Sequence, residues 1–160
     1  VSILGRNSNN VQFSMNIDIK YKQWQLFLLP IAQMGGKGFK NSNYYWFRGN
    51  TAKYSQVALG SYDENNPDPN AAYPRLSLGG SQNNYRNSTF WLFDRSYFQL
   101  LSAQLSYNLN IKNNSFVTDV RLYAKGSNLF MIAKDKEVLQ LNFGSTPQSR
   151  TVALGAIVMF

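Results

Sequence analysis

The sequence predicts an all-β fold in which antiparallel strands form part of a transmembrane β-barrel, with one long extracellular loop that carries a short helix. Five segments alternate apolar and polar side chains, and a period of two indicates strands with one apolar face. Several of them match the roughly 9 to 11 residues that a tilted strand needs to cross a bilayer. Aromatic residues are as frequent as charged ones, at 15% each, which suits strands that end in the aromatic girdles of a membrane barrel.

Composition excludes several classes of function. The 160 residues contain no Cys and no His, so a disulfide framework, a thiolate nucleophile and the commonest general base are all missing. The formal charge is +8, but the basic residues are scattered and build no run, so nucleic acid is not an expected partner. Scattered cations suit lipid headgroups and lipopolysaccharide better. No apolar run approaches the about 20 residues of a membrane-spanning helix.

The first two strands are predicted at residues 11–21 and 24–34. In the first, apolar side chains occupy every second position over its whole length, which exceeds the about 5 to 6 residues of an ordinary soluble strand. The short turn between the strands puts Tyr21 and Trp24 at the same end of a hairpin, where an aromatic belt is expected. Pro30 has no backbone donor and predicts a bulge or a local break in pairing.

Residues 35–95 lose the strand pattern, and a loop of this length is usually functional. It is predicted to carry a short helix at residues 50–60, with Asn50 as its N-cap and Gly60 just beyond its end. Short turns at one rim and long loops at the other are typical of outer-membrane barrels, whose long loops are extracellular.

Two further strands are predicted at residues 96–109 and 117–129. In the first, the odd-numbered positions from Leu101 to Leu109 form one face, and the even-numbered positions from Leu100 to Asn108 form the other. The second strand has charged residues at alternate positions, and an Arg or Lys that faced lipid at mid-bilayer would cost about 2 to 4 kcal/mol. We therefore expect four residues to face the barrel lumen or its plug: Asp119, Arg121, Tyr123 and Lys125.

The last strand is predicted at residues 150–160. Its outward positions are apolar, and its inward positions are small or apolar as well, so we expect a plug rather than water to cover the inward side. Counting strands and turns from the first hairpin places its end at the rim with the short turns, which is the periplasmic rim in bacterial barrels.

An aromatic cluster in the long loop has two interpretations: Tyr44, Tyr45, Trp46 and Phe47. Such rings could contact a substrate or a lid, because they combine apolar area with polar tips. Long loops are, however, commonly held together by their own side chains, and packing against the loop's helix is the more frequent role.

Three carboxylates follow in the same loop, at Asp63, Glu64 and Asp68. They could ligate Ca²⁺, but the sequence around them is ordinary turn chemistry, so no metal or cofactor is predicted. No acid/base pair can be placed that would flank a glycosidic bond. We therefore expect no catalytic residues and no enzyme.

A family resemblance covers essentially the whole chain. Its most specific parts are a D-x-S-Y-x-x-L-x-x-x-x-L-x-Y segment at residues 94–107, a stretch at 121–130 that ends in Ser-Asn-Leu-Phe, and residues 147–160. They resemble the C-terminal end of SusC/RagA-type TonB-dependent outer-membrane transporters of the Bacteroidetes. Gly155, Val158 and Phe160 also resemble the C-terminal signal that barrel-assembly machinery reads, with Val158 in place of the more usual aromatic residue.

The resemblance implies a barrel of about 22 strands filled by an N-terminal plug. Such transporters import oligosaccharides or peptides across the bacterial outer membrane, take energy from TonB through their N-terminal part, and are capped by a SusD-like surface lipoprotein. Residues 1–160 would then be the C-terminal part of the receptor barrel. About five strands cannot close a barrel alone, so we expect a fragment, or a chain that completes a barrel with strands of another chain.

One alternative of a different class remains open, a secreted or surface β-sandwich that binds carbohydrate through loop aromatics. Its strands would alternate in the same way. Such a module would be water-soluble and monomeric without detergent, and this property separates it from a barrel segment.

Overall fold

The computed structural model describes residues 11–46, 54–76, 83–109, 111, 116–141 and 146–160. Several predicted features fall outside these ranges, namely Phe47, the expected N-cap Asn50 and most of the turn that follows the third predicted strand. Within the described ranges, no helix has the length and hydropathy needed to span a membrane.

The predicted all-β fold with antiparallel strands is confirmed. The strands are β1 (Val11–Ser14), β2 (Ile17–Tyr21), β3 (Trp24–Met34), β4 (Lys37–Phe39), β5 (Leu92–Asp94), β6 (Tyr97–Leu109), β7 (Asp119–Ala133) and β8 (Thr151–Met159). β1 and β2 both pair with β3, and the sheet continues in the order β3, β6, β7 and β8. β4 and β5 form a separate two-stranded sheet. The six-stranded sheet is open rather than closed into a barrel.

β1 and β2 are two halves of one predicted strand, interrupted at Met15 and Asn16. Both halves keep the same register with β3. The Met15 N–H donates to the Pro30 carbonyl at 3.2 Å, but Pro30 has no N–H with which to return the bond. The local break in pairing that Pro30 predicts is therefore confirmed.

A β-bulge on β6 corrects one predicted face. Leu101 is skipped in the pairing of β6 with both β3 and β7, and one extra residue reverses the alternation of side chains. Simple alternation placed Leu100 with the polar positions of this strand. In the structure Leu100 pairs with Phe130 and lies with the apolar positions instead.

The loops contain more regular structure than predicted. The helix expected at residues 50–60 is a 3₁₀ helix at Gln56–Gly60 that starts after Ser55 and includes Gly60. The predicted loop 35–95 is bounded by β4 and β5, and a second loop, between β7 and β8, contains α1 (Lys136–Leu141). These segments have three to six residues, which is too short for a periodic pattern to identify them.

Aromatic rings collect at the end of the sheet where the short turns lie. β2 and β3 are joined by a two-residue turn, so Tyr21 pairs with Trp24. The ring of Trp24 lies 4.7 Å from that of Tyr107 on β6. Phe116 and Phe160 meet at 5.4 Å beside β7 and β8. The aromatic end predicted for the first hairpin thus extends across the whole sheet.

Candidate functional site

The register sorts the large sheet into rows whose members share a face. Two neighbouring rows on one face are Ile19, Leu26, Leu105, Ala124 and Leu154, and Tyr21, Trp24, Tyr107, Leu122 and Ala156. We call this side the apolar face. Leu154 is 81% exposed and Val152 is 72% exposed, so no other described part of the chain covers them.

The opposite side, the polar face, holds all the charged side chains of the six-stranded sheet: Asp18, Lys20, Asp119, Arg121 and Lys125. One of its rows runs Asp18, Phe27, Gln104, Lys125 and Ala153. The Arg121 Nε donates to Asn108 Oδ1 at 2.7 Å, across the β6–β7 pair. Asp119, Arg121, Tyr123 and Lys125 thus share one face, and their contact with a lumen or plug stays a prediction.

The three residues predicted to act in barrel assembly lie on or beside β8. Gly155 is on the polar face opposite Tyr123, and Val158 is on the apolar face opposite Val120. Phe160 follows the strand and is 78% exposed. Their role in assembly also stays a prediction.

The long loop folds around an aromatic core, against which Val138 of α1 also packs. Tyr45, Trp46 and Trp91 are its buried members, and Trp91 is only 1% exposed. The Trp91 ring lies 5.9 Å from that of Trp46 and 6.2 Å from that of Tyr73. Its Nε1–H donates to the Asn84 carbonyl at 2.8 Å. The core therefore joins segments that are far apart in the sequence.

This core separates the members of the predicted aromatic cluster. Tyr45 and Trp46 are buried in it, as the self-packing interpretation expects. Burial, followed by the neighbouring phenols Tyr73 and Tyr44, raises the pKa of Tyr45 well above its usual value, so its hydroxyl stays protonated. Tyr44 lines a cavity, and Phe47 lies outside the described residues. Of the described members, only Tyr44 lies where a ligand could reach it.

That cavity, the loop-rim cavity, measures about 830 Å³ and lies where the loops meet the polar face. Gln99 and Met131 form its wall on the sheet, and Tyr44, Gln56 and α1 line it from the loops. Its volume is in the range of pockets that bind small ligands. The five carboxamide side chains that line it are Gln56, Gln99, Asn128, Gln140 and Gln148.

Carboxamides offer both hydrogen-bond donors and acceptors, so they suit uncharged polar groups that do the same. Glu137 and Arg150 add one charge of each sign to the lining. Part of the lining is held in place by its own bonds. The Gln99 Nε2 donates to Asn128 Oδ1 at 3.1 Å and to Gln148 Oε1 at 3.0 Å. The Asn128 Nδ2 donates to the Ser149 carbonyl at 2.9 Å. These bonds attach the segment before β8 to the wall.

The base of the long loop is fixed by an ion pair between β4 and β5. The Lys37 Nζ lies 2.8 Å from Asp94 Oδ2, and the Ser96 N–H donates to Asp94 Oδ1 at 2.8 Å. The hydrogen bond from Lys37, followed by those from the Ser96 hydroxyl and N–H, holds the pKa of Asp94 well below its usual value. The Asp94 N–H in turn donates to Asp135 Oδ2 at 2.7 Å. Both loops are thus tied together at their bases.

The three carboxylates of the loop do not converge. The Asp63 and Asp68 Oδ1 atoms accept from the N–H groups of Asn65 and Asn70 at 3.0 and 2.8 Å. Glu64 forms an ion pair with Arg75. No group of three metal-ligating acids occurs in the described part of the chain, so turn chemistry accounts for the two aspartates.

Several residues of the site were not identified from the sequence, among them Trp91, Gln99 and Asp135. Gln99 could have been found only with the bulge at Leu101 in view, because the bulge decides which face it occupies. The local sequence around Trp91 and Asp135 shows no periodicity that would predict their distant contacts.

No protein-family model matches the chain, and no curated protein matches it. Solved structures of the RagAB peptide importer do. A chain of its closed-closed state superposes with a TM-score of 0.67 at 17% identity, over 96% of this chain and 18% of that chain. The open-open state gives 0.62 at 18% identity, over 93% and 17%. Another structure of the RagAB peptide transporter gives 0.56 at 19% identity, over 77% and 14%.

At this identity the similarity shows a shared fold. The chain spans less than a fifth of the length of the importer chains that it matches.

Proposed function

We propose that residues 1–160 are the C-terminal part of the β-barrel of a SusC/RagA-type TonB-dependent importer in the bacterial outer membrane, which takes up oligosaccharides or peptides. One observation carries the proposal. Every charged side chain of the six-stranded sheet lies on the polar face, and the other face is apolar and exposed. A lipid-facing wall requires this separation because a charge in lipid is costly. The shared fold with RagAB chains supports it further.

The dimensions of the sheet also support a membrane wall. From Trp24 to Met34 there are ten residue steps, or about 33 Å along the strand. A tilt of about 40° reduces this length to about 25 Å, the height of the apolar band of an outer-membrane barrel. Aromatic residues lie near both ends of this height, with Trp24 and Tyr107 at one and Phe98 and Phe130 at the other.

The orientation follows from the loops. The two-residue turn after β2 would be periplasmic, and the long loop after β3 would be extracellular, as in other outer-membrane barrels. A SusD-like lipoprotein would meet the long loop from outside, and TonB would act through the N-terminal part of the complete protein. Lipid and lipopolysaccharide would cover the apolar face.

The chain's contribution to import would be positional rather than chemical. The polar face, with Asp119, Arg121, Tyr123 and Lys125, would line the lumen and contact the plug. Above it, the loop-rim cavity would lie on the substrate path, where Tyr44 and the carboxamides offer contacts to sugar hydroxyls or peptide groups. Gly155, Val158 and Phe160 would serve assembly of the barrel.

The β-sandwich alternative requires a second sheet against the apolar face. Within the described ranges the only other sheet has two strands of three residues each, and the apolar face remains exposed. No observation favours the sandwich.

The wall can be tested with neighbouring residues on opposite faces of β8. In the full-length protein in lipid bilayers, free of other cysteines, Leu154→Cys and Ala153→Cys would each carry a spin label. We expect the label at position 154 to be relaxed by oxygen dissolved in lipid, and the label at 153 to be shielded from lipid. If a water-soluble nickel chelate reached both labels equally, the assignment of the sheet as a lipid-facing wall would be wrong.

Import requires its own test. Cells that lack the full-length protein should lose growth on an oligosaccharide or peptide source that supports the parent strain, and a plasmid copy should restore it. Unchanged growth on every such source would contradict the assignment as an importer. It would not affect the assignment of the sheet as a membrane wall.

A further inference from the structure

A second pocket, the loop pocket, lies on the long loop and measures about 310 Å³. Its walls include the aromatic residues Tyr62, Tyr73 and Phe90, two prolines, and one carboxylate, Asp68. None of its lining residues lines the loop-rim cavity. The loop pocket is therefore separate from the cavity that is proposed to lie on the substrate path.

The aromatic walls are supported by the loop core. The Tyr73 ring stacks near those of Tyr45 and Trp91, at 6.1 and 6.2 Å, and Phe90 meets Trp91 edge-on at 4.9 Å. The Tyr62 N–H donates to the Tyr73 carbonyl at 2.9 Å. Phe90 is nevertheless 54% exposed. The pocket thus presents apolar rings to solvent on a support that buried residues hold in place.

Most of the residues that line the pocket belong to a stretch that is acidic, unlike the chain as a whole. The sequence carries a formal charge of +8, yet residues 54–74 contain three acidic residues and no Lys or Arg. Of the three, only Asp68 lines the loop pocket. Glu64 is paired with Arg75. Because this pair involves Arg75, which directly follows the stretch, the carboxylate of Asp68 is the charge nearest to hand for a positively charged group in the pocket.

We propose that the loop pocket binds the side chain of a lysine or arginine from a polypeptide partner. Aromatic rings attract a cation through their negative faces, and Asp68 supplies a carboxylate for it. The aliphatic stem of Lys or Arg packs on apolar walls while its charged head stays at the rim. Tyr62, Tyr73 and Phe90 would receive the stem, and Asp68 would pair with the head.

The test uses a pair of matched variants of the full-length protein. Asp68→Asn removes the charge but keeps a side-chain oxygen that can accept from the Asn70 N–H. Asp63→Asn makes the same change at an aspartate that accepts from Asn65 in the same way but lies outside the pocket. The probe is N-acetyl-lysine methylamide, its neutral counterpart is N-acetyl-norleucine methylamide, and binding is followed by saturation-transfer NMR.

We expect the lysine probe to bind the parent protein and the norleucine probe to bind more weakly. Asp68→Asn should weaken the lysine probe about three- to fivefold, and Asp63→Asn should leave its affinity unchanged. Equal binding of the two probes would show an apolar pocket without charge recognition. Equal losses in the two variants would show attraction by the loop as a whole. Either result, or no binding of the lysine probe, overturns the proposal, and none of them bears on import.

Discussion

The ring of Tyr123 covers Gly155, its partner across the β7–β8 pair. The two residues are directly opposite in the register, and a Cβ on Gly155 would lie 2.5 Å from both the Cζ and the hydroxyl oxygen of Tyr123. The missing side chain therefore makes room for the tyrosine ring on the polar face. It gives Gly155 a packing role besides the assembly role that is proposed for it.

Replacing Gly155 by Ala should destabilise the sheet by no more than about 1 kcal/mol, because the tip of the half-buried Tyr123 ring has to move. Urea unfolding of the full-length protein in detergent would measure the change. In a Tyr123→Ala background the same substitution should cost much less. Ala153→Val, on the same face two residues away, is the control and should have a small effect. An equal cost of Gly155→Ala with and without Tyr123 would show that the ring is not the reason for the glycine.

The sheet could be predicted from the sequence where its alternation is uninterrupted. β3 and the faces of β8 match their predictions residue by residue. The assignment failed at Leu100, because the bulge at Leu101 leaves no composition signal and reverses the faces beyond it.

The loop and the cavity were less accessible to sequence reasoning. Tyr45 and Trp91 are 46 positions apart in the numbering and share one core, and no local period records such a contact. The same holds for the link between Asp94 and Asp135. The sequence did show an aromatic cluster in the loop, and packing within the loop is the more frequent role of such clusters.

Pro30 makes a local prediction about hydrogen bonding. In Pro30→Ala the new backbone N–H of residue 30 should donate to the Met15 carbonyl. This hydrogen bond would contribute about 0.5 to 1.5 kcal/mol. Loss of proline also frees the unfolded chain and costs about 0.4 to 1 kcal/mol, so the free energy of unfolding should change little.

The informative measurement for this variant is therefore amide hydrogen exchange. The amide at position 30 should be protected as strongly as its neighbours on β3. A fast-exchanging amide at this position would contradict the assigned register, and unchanged protection at Leu28 would confirm that the rest of the strand is intact.

Asp94 makes the base of the long loop sensitive to acid. Its pKa is lowered in the fold, chiefly by the hydrogen bond from Lys37, so the carboxylate is favoured when folded. The stabilisation is present above the unfolded pKa of about 3.9 and is lost as the pH falls towards the lower folded value. Hydrogen exchange at Arg95, corrected for intrinsic rates, should show the base opening more readily at pH 3 than at pH 6.

The variant Asp94→Asn separates this ion pair from other acid effects. At pH 7 it should lower the free energy of opening at the loop base by about 1 kcal/mol, and the difference from the parent should vanish in acid. Glu64→Gln breaks the exposed pair with Arg75 and serves as the control, with little expected effect. A pH-independent difference at position 94 would show that the carboxylate's charge is not what holds the base.

Trp91 should hold the long loop together without supporting the sheet. It is the most deeply buried large side chain among the described residues, and Trp91→Ala removes its contacts with Trp46 and Tyr73 together with the bond to Asn84. Loss of a buried Trp typically costs about 3 to 5 kcal/mol. Because the buried members of the core all lie in the long loop, with Val138 of α1 packed against them, we expect this loss to appear as local unfolding of the loops.

Limited proteolysis of the full-length protein in detergent measures this effect. Trp91→Ala should make the long loop cleavable at low protease concentration, while the proposed barrel keeps its compact mobility on unheated gels. Leu59→Ala, at a side chain that is 87% exposed, should leave the loop as resistant as the parent. If Trp91→Ala abolished the compact barrel as well, the loop core would have to be part of the structural core of the sheet.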